Sequence, residues 1–194
     1  MKLAILGPPG SGKSTQAEII SARCGLVHIY AGEILRREAE SGSPFAPRIR
    51  SYLAAGLLVP SDIVLLLIER ELARAPGGYV LDGFPRTMEQ TMELELLLRE
   101  RDETLDAVVC LILSEEELLR RLLSRGRPDD TPEIITSRIR IYHSATDPVL
   151  QFYKGKDILV AVSGEGDTSQ VADDILKAVH AKIALTGRAP TQSP

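Results

Sequence analysis

The chain has 194 residues, 44% hydrophobic and 26% charged, which suits a single soluble α/β domain with one sizeable core. Aromatic residues make up only 4% with no Trp, and the net charge is −4, so a general nucleic-acid binder is disfavoured. No apolar run is long enough for a membrane-spanning helix, and MKLAILGPPG reaches glycine too early for a signal peptide, so a cytoplasmic protein is expected.

The first apolar segment, Lys2 to Leu6, predicts a strand. GPPGSGKST, Gly7 to Thr15, follows it and fits G-x-x-x-x-G-K-[ST] through Gly7, Gly12, Lys13 and Ser14, then opens a helix. Glycines let successive backbone N–H groups point into one anion-sized hole, and the helix N-terminus adds partial positive charge. Lys13 reaches the outer phosphates as a point charge. A glycine-rich turn without function is the plain alternative, and the strand before it and the lysine inside it count against that. No Asn-Lys-x-Asp motif of a GTPase is present.

A second strand is predicted from Leu26 to Tyr30, after Cys24, which with Cys110 reads as a core thiol and not as a disulfide or metal ligand. The small-residue turn Ala31-Gly32 then leads into a helix start carrying Glu33, Arg36 and Arg37. Arg36 is a candidate anion contact, and Arg37 reads as solvated. The stretch up to the third strand, Gly78 to Asp82, is longer than one crossover requires and implies a small inserted subdomain. Ser61 to Arg74 is read as helical within it. Asp82 ends its strand, at the sheet edge where parallel-sheet ligands bind, so Asp82 and Arg86 are expected to face the phosphate loop. Asp82 suits Mg²⁺, directly or through water, and Arg86 can fork onto a phosphate.

Further helices are predicted over Met88 to Arg101 and Glu115 to Ser124, and strands over Ala107 to Leu113 and Asp157 to Val162. Strands apolar on successive residues are covered on both faces, and strand–helix alternation implies a parallel sheet with right-handed crossovers. The region LLRRLLSRGRPDDTPEIITSRIR holds Arg120, Arg121, Arg125, Arg127, Arg138 and Arg140. Arg120 and Arg140 read as solvated or paired with helix glutamates. Arg121 and Arg125, four apart on one helix face, read with Arg127 and Arg138 as ligand contacts, because two phosphate-bearing ligands brought face to face repel strongly.

From Met1 to about His180 the chain resembles the adenylate kinase family of nucleoside monophosphate kinases. The resemblance rests on GPPGSGKSTQ, AGEILRR, LVPSDIV at Leu58 to Val64, LDGFPRTMEQ at Leu81 to Gln90, and RGRPDD with Arg138. It implies an α/β fold, a P-loop NTPase-type five-stranded parallel sheet flanked by helices. One kinase domain would span 1–184, with an acceptor-binding insertion at about 30–60, a very short lid at about 124–134, and a disordered tail at 185–194. The implied activity is reversible Mg²⁺-dependent phosphoryl transfer from ATP to AMP, giving two ADP, by positioning and charge neutralisation. CMP or UMP is the alternative acceptor, and a non-catalytic nucleotide sensor on the same fold is the reading from another class.

Carried over by position, the resemblance has Gly10, Ser11, Gly12, Lys13, Ser14 and Thr15 cradling the donor phosphates. Arg121 and Arg125 bind ATP phosphates, and Gly166 lies near the donor adenine. Arg36 and Arg86 grip the acceptor phosphate. Ala31, Leu57, Leu58, Val59, Gly83, Phe84 and Pro85 line the acceptor site, and Gln90 hydrogen-bonds the base. Arg127 and Arg138 bridge the two phosphate chains, Asp129 and Asp130 help the lid close, and Asp82 orients hydrated Mg²⁺ with Ser14 as a second candidate. Lys13, Arg86, Arg121, Arg127 and Arg138 form the implied catalytic set. Nucleic-acid and membrane partners are not expected, and a monomer is.

Three departures from the family pattern stand out. Arg125-Gly126-Arg127 makes the lid minimal, without a four-cysteine zinc site. Ser14 stands where most members have glycine. Tyr30-Ala31 stands where Ser-Thr is usual; Ala31 resembles the UMP/CMP branch, whereas the Thr87-x-x-Gln90 spacing favours AMP. Tyr30 can stack beside the base or pack under the insertion.

Overall fold

A computed structural model describes residues 1–125 and 131–185 of the chain. The strands are β1 (Lys2–Leu6), β2 (Val27–Tyr30), β3 (Tyr79–Asp82), β4 (Ala107–Ile112) and β5 (Leu159–Ser163), joined in one parallel sheet of order β2-β3-β1-β4-β5. Between them run α1 (Lys13–Cys24), α2 (Ala31–Glu40), α3 (Ala46–Ala54), α4 (Ser61–Leu72), α5 (Met88–Glu100), α6 (Glu115–Arg125) and α7 (Pro132–Gly155), and α8 (Thr168–Leu185) closes the described chain. The α/β class and five-stranded parallel sheet expected from the sequence are the ones observed.

The sheet is covered on both faces because its side chains alternate between two cores. Leu3, Ile5, Val80, Val109 and Leu111 pack with Ala17 and Ile20 of α1 and with Val171, Ile175 and Val179 of α8. Ala4, Leu6, Leu81 and Val108 pack on the other side with α4, α5 and α7. Successive residues point to opposite faces, so an unbroken apolar run is what a doubly covered strand requires.

Strand register aligns the carboxyl ends. Ile5 and Tyr30 both lie opposite Asp82, so the chain leaves β1, β2 and β3 along one edge. β1 sits in the centre, with β3 on one side and β4 on the other, so the crevice outside its carboxyl end is the topological switch point. The phosphate loop occupies that crevice.

The longer crossover between β2 and β3 holds α2, α3 and α4. Ile34, Leu35 and Ala39 of α2 and Ile49 of α3 are buried in the same core as Ile63, Leu67 and Ile68 of α4. Arg50 Nη1 donates to the Ala39 carbonyl at 2.6 Å, satisfying a C-terminal group of α2 that has no partner within its own helix.

Several predicted boundaries move, and the helix ends explain why. Leu26 was expected in β2, yet its N–H donates to the Ser21 carbonyl, closing α1 over the left-handed Gly25. Asp157 and Ile158 were expected in β5. Their N–H groups instead donate to the carbonyls of Lys154 and Tyr153, ending α7, and Asp157 takes φ 56°. α8 runs through Leu185, the first residue of the expected tail. Residues 186–194 and, within the expected lid, Gly126, Arg127, Pro128, Asp129 and Asp130 lie outside the described residues, as does the side chain of Arg125.

Candidate functional site

The phosphate loop is shaped by two glycines. Gly10 and Gly12 have φ of 84° and 85°, a region that side-chain-bearing residues enter only at a cost. A Cβ on Gly10 would lie 2.9 Å from Leu122 Cγ and 3.2 Å from the Leu118 carbonyl, so the loop is pressed directly onto α6. Gly12 caps α1, and Lys13 Nζ donates back across the loop to the Pro8 carbonyl at 3.1 Å. Ser11 is buried with Oγ close to Gly7, and it does not line the cavity described below.

Contact with α6 also sets Arg121. Its Nε donates to Glu117 Oε1 at 2.6 Å and its Nη2 to the Gly164 carbonyl at 3.0 Å, while Nη1 lies 3.6 Å from the Cβ position of Gly12. The guanidinium is therefore held over the phosphate loop by a carboxylate one turn back and by the loop after β5. Glu117 also receives Arg120 through Nε and Nη2, both at 2.7 Å. Arg120, then Arg121, pull the Glu117 carboxyl down to about 2.

Arg86 is fixed from three directions. Its N–H donates to Gln90 Oε1 at 2.8 Å, its carbonyl accepts from Thr146 Oγ1 at 3.0 Å, and its Nε donates to the Gly83 carbonyl at 2.5 Å. Gly83 has φ 68°, and a Cβ there would lie 2.8 Å from Arg86 Nη2, so glycine is what lets the side chain fold back. Burial is the largest influence on this guanidinium and pushes its pKa down. Asp82 and Tyr30 offset that, and Arg138 and Arg36 add to it. Like charges facing one another in a partly dry crevice are costly until an anion enters.

Thr87 and Gln90 form the start of α5. Thr87 Oγ1 accepts from the Gln90 N–H at 3.2 Å, and the Gln90 side chain reaches back to the Arg86 N–H, a variant of the capping box. Since Oε1 accepts from that N–H, the orientation of the amide is set and Nε2 is its donor end.

These side chains meet at a cavity of about 610 Å³ on the carboxyl edge of the sheet. Its lining combines the loop and cationic residues Gly10, Gly12, Lys13, Ser14, Thr15, Arg36, Arg86, Arg121 and Arg138 with the apolar Ala31, Leu35, Leu53, Leu57, Leu58, Val59, Val64 and Phe84, and with Gly83 and Gln90. Most sequence-expected residues within the described chain are thus brought together. Pro85 does not line the cavity, and Gly166 is exposed on the loop after β5, outside the lining. Arg37 is exposed and pairs with Glu71.

Asp82 is fully buried at the end of β3. Oδ2 lies 3.2 Å from His28 Nε2, and Oδ1 has no hydrogen-bond partner within the protein. Among the described residues no cluster of three or more acidic, His or Cys side chains could cage a metal. Asp82 does not line the cavity, but its orphaned oxygen, at the carboxyl end of β3 beside β1, fits Mg²⁺ that keeps most of its waters and takes the rest of its ligands from phosphate.

The family model described as Adenylate kinase matches residues 5–158. The chain belongs to the adenylate kinase family. It is 39% identical to the adenylate kinase of Nocardia farcinica (strain IFM 10152) over 92% of this chain and 99% of the relative. It is 41% identical to that of Prochlorococcus marinus (strain MIT 9211), over 92% and 96%. With the adenylate kinase of Corynebacterium glutamicum (strain R) the identity is 40%, over 92% and 99%.

Several residues of this adenylate kinase family site escaped the sequence reading. Thr146, Tyr142 and Ile141 line the cavity with Arg138. Their spacing of three, four and eight residues from Arg138 is one face of α7, a signal that helical periodicity carries. Glu117 and Arg121 are four apart, and the same rule would have paired them. His28 against Asp82 and Gly164 against Arg121 join distant parts of the chain and leave no local trace.

Proposed function

We propose that this member of the adenylate kinase family transfers a phosphoryl group reversibly from ATP to AMP, giving two ADP. One observation carries the reading: Arg36, Arg86, Arg121 and Arg138 converge with Lys13 and the phosphate loop on a single cavity that apolar side chains and Gln90 also line. Four arginines and a lysine are more positive charge than one nucleotide's phosphate chain requires. A site that brings two phosphate chains together must cancel their repulsion and the charge of the transferring group.

In this reading the backbone N–H groups of Gly10 to Thr15, with Lys13 and Arg121, hold the donor phosphates. Arg36 and Arg86 hold the acceptor phosphate, and Arg138 reaches both from α7. Leu57, Leu58 and Val59 cover the base, while Gln90 Nε2 donates to a ring nitrogen. The acceptor phosphate is already an oxyanion, so no strong base is needed and alignment supplies the rate. Mg²⁺, held through water by Asp82 and Ser14, would shield the phosphate oxygens. Arg125 and Arg127, Asp129 and Asp130, and a monomer acting in the cytoplasm belong to the same proposal. Among the described residues no helix is long and apolar enough to cross a membrane.

The test is a coupled assay of purified protein with ATP, Mg²⁺ and AMP, CMP or UMP in turn. AMP is expected to be the best acceptor, and Arg86→Ala to raise its KM far more than that of ATP. A rate with CMP equal to or above that with AMP would reassign the acceptor. ATP binding without ADP formation would make the protein a sensor.

A further inference from the structure

Tyr30 stands at the passage from β2 into α2, as the N-cap residue of that helix. Its ring is constrained on several sides. His28 lies parallel to it at 5.9 Å between centroids and an interplanar angle of 7°. The Arg36 guanidinium carbon sits 5.2 Å from the ring centroid, within cation–π range. Gly32 provides the floor: a Cβ there would lie 2.8 Å from Cε2 and 3.2 Å from the hydroxyl oxygen of Tyr30. Gly32 lies inside α2, so its missing side chain provides room for this ring and not an unusual turn.

The charge of Arg36 bears on the phenol as well as on the ring. Burial is the largest influence on it and raises its pKa, yet hydrogen bonding and charge from Arg36, with hydrogen bonding from Ser14, bring it below the ordinary value. Asp82 acts weakly in the opposite sense. Tyr30 and Arg36 line the same cavity as Ser14 of the phosphate loop.

We propose that Tyr30 is a positioning residue of the acceptor-phosphate site, its ring setting the guanidinium of Arg36. The inference rests on the assignment of Arg36 to the acceptor phosphate.

Four variants test it by steady-state kinetics: Tyr30→Phe, Tyr30→Leu, Arg36→Ala, and Tyr30→Leu combined with Arg36→Ala. Tyr30→Leu is expected to raise the KM for AMP about three- to tenfold, the range of one cation–π contact, with the KM for ATP and kcat changed less than about twofold. Tyr30→Phe keeps the ring and should show a smaller rise of the same kind. Arg36→Ala should show the largest rise, and adding Tyr30→Leu to it should change nothing further, because Tyr30 acts through that guanidinium. A Tyr30→Leu effect that falls equally on both substrates, that persists in full without Arg36, or that is absent while Arg36→Ala is impaired overturns the proposal and leaves the acceptor assignment standing. An unchanged KM for AMP in Arg36→Ala overturns both.

Discussion

Glu117 shows how much of this site depends on residues that touch no substrate. Its carboxylate accepts from Arg121 Nε at 2.6 Å and from Arg120 at 2.7 Å, and together they hold its pKa to about 2. A depressed carboxyl pKa means that the ionised pair is present above the unfolded value and is lost only as pH falls through the folded one, so Arg121 stays tethered from neutrality to about pH 2. Glu117→Gln removes the charge and weakens that half of the tether to a neutral hydrogen bond, with the Gly164 carbonyl still holding Nη2. The expected result is a rise of about three- to tenfold in the KM for ATP, as for one charge-assisted hydrogen bond, with the KM for AMP unchanged. Arg120 is exposed and points away from the cavity lining, so Arg120→Ala should leave both values alone and serve as the control. Equal effects of the two variants would remove Glu117 from the donor site.

At the scale of elements, glycines with similar backbone angles do different work. Gly10 and Gly25 both take left-handed φ, 84° and 65°. Gly25 ends α1 with open space around its Cβ position, whereas Gly10 faces Leu122 at 2.9 Å and the Leu118 carbonyl at 3.2 Å. Gly25→Ala should therefore cost about 1 kcal/mol or slightly more in denaturant unfolding, through backbone conformation alone, and leave turnover intact. Gly10→Ala adds a collision with α6 and should displace the loop, lowering ATP affinity by at least tenfold. Turnover at the wild-type level in Gly10→Ala would mean that the loop does not need its seat on α6. Much of this architecture was legible in the sequence. The strands read as unbroken apolar runs because both faces are buried, and Lys13, Arg36 and Arg86 stood out because phosphate chemistry requires cations at the ends of strands. What escaped were contacts whose partners are far apart in the chain, such as Thr146 to Arg86 and His28 to Asp82. Hydrophobic period locates a helix or strand but not the rotation or depth at which distant elements meet. The strand starts at Leu26 and Asp157 were misplaced for a related reason: residues that look extended were used to satisfy the last carbonyls of the preceding helix.

For the whole molecule, the cavity is walled by parts that belong to different cores and crossovers. The phosphate loop rests on β1 and α6, Arg36 rides on α2, and Arg138 reaches from α7 to within 3.8 Å of the Cβ position of Gly56, just beyond α3. Arg86 feels like-charge tension from Arg138 and Arg36, smaller than the opposing influence of Asp82 and Tyr30. An anion on one side relieves part of that tension, and two ligands together pull α2, α6 and α7 toward one charge centre. Binding should then be cooperative: whichever nucleotide arrives first orders groups that the second also uses. Thermal unfolding with AMP, with a non-hydrolysable ATP analogue, and with both gives the measure. Each ligand alone at 100 times its Kd should stabilise by about 2.7 kcal/mol through mass action. The pair is expected to exceed the sum of the separate shifts, and Arg138→Ala to reduce the pair to that sum, because it removes the side chain placed to bear on both. A strictly additive response in the unmodified protein would mean that the two halves of the cavity fill independently, and Arg138 would then lose its bridging role.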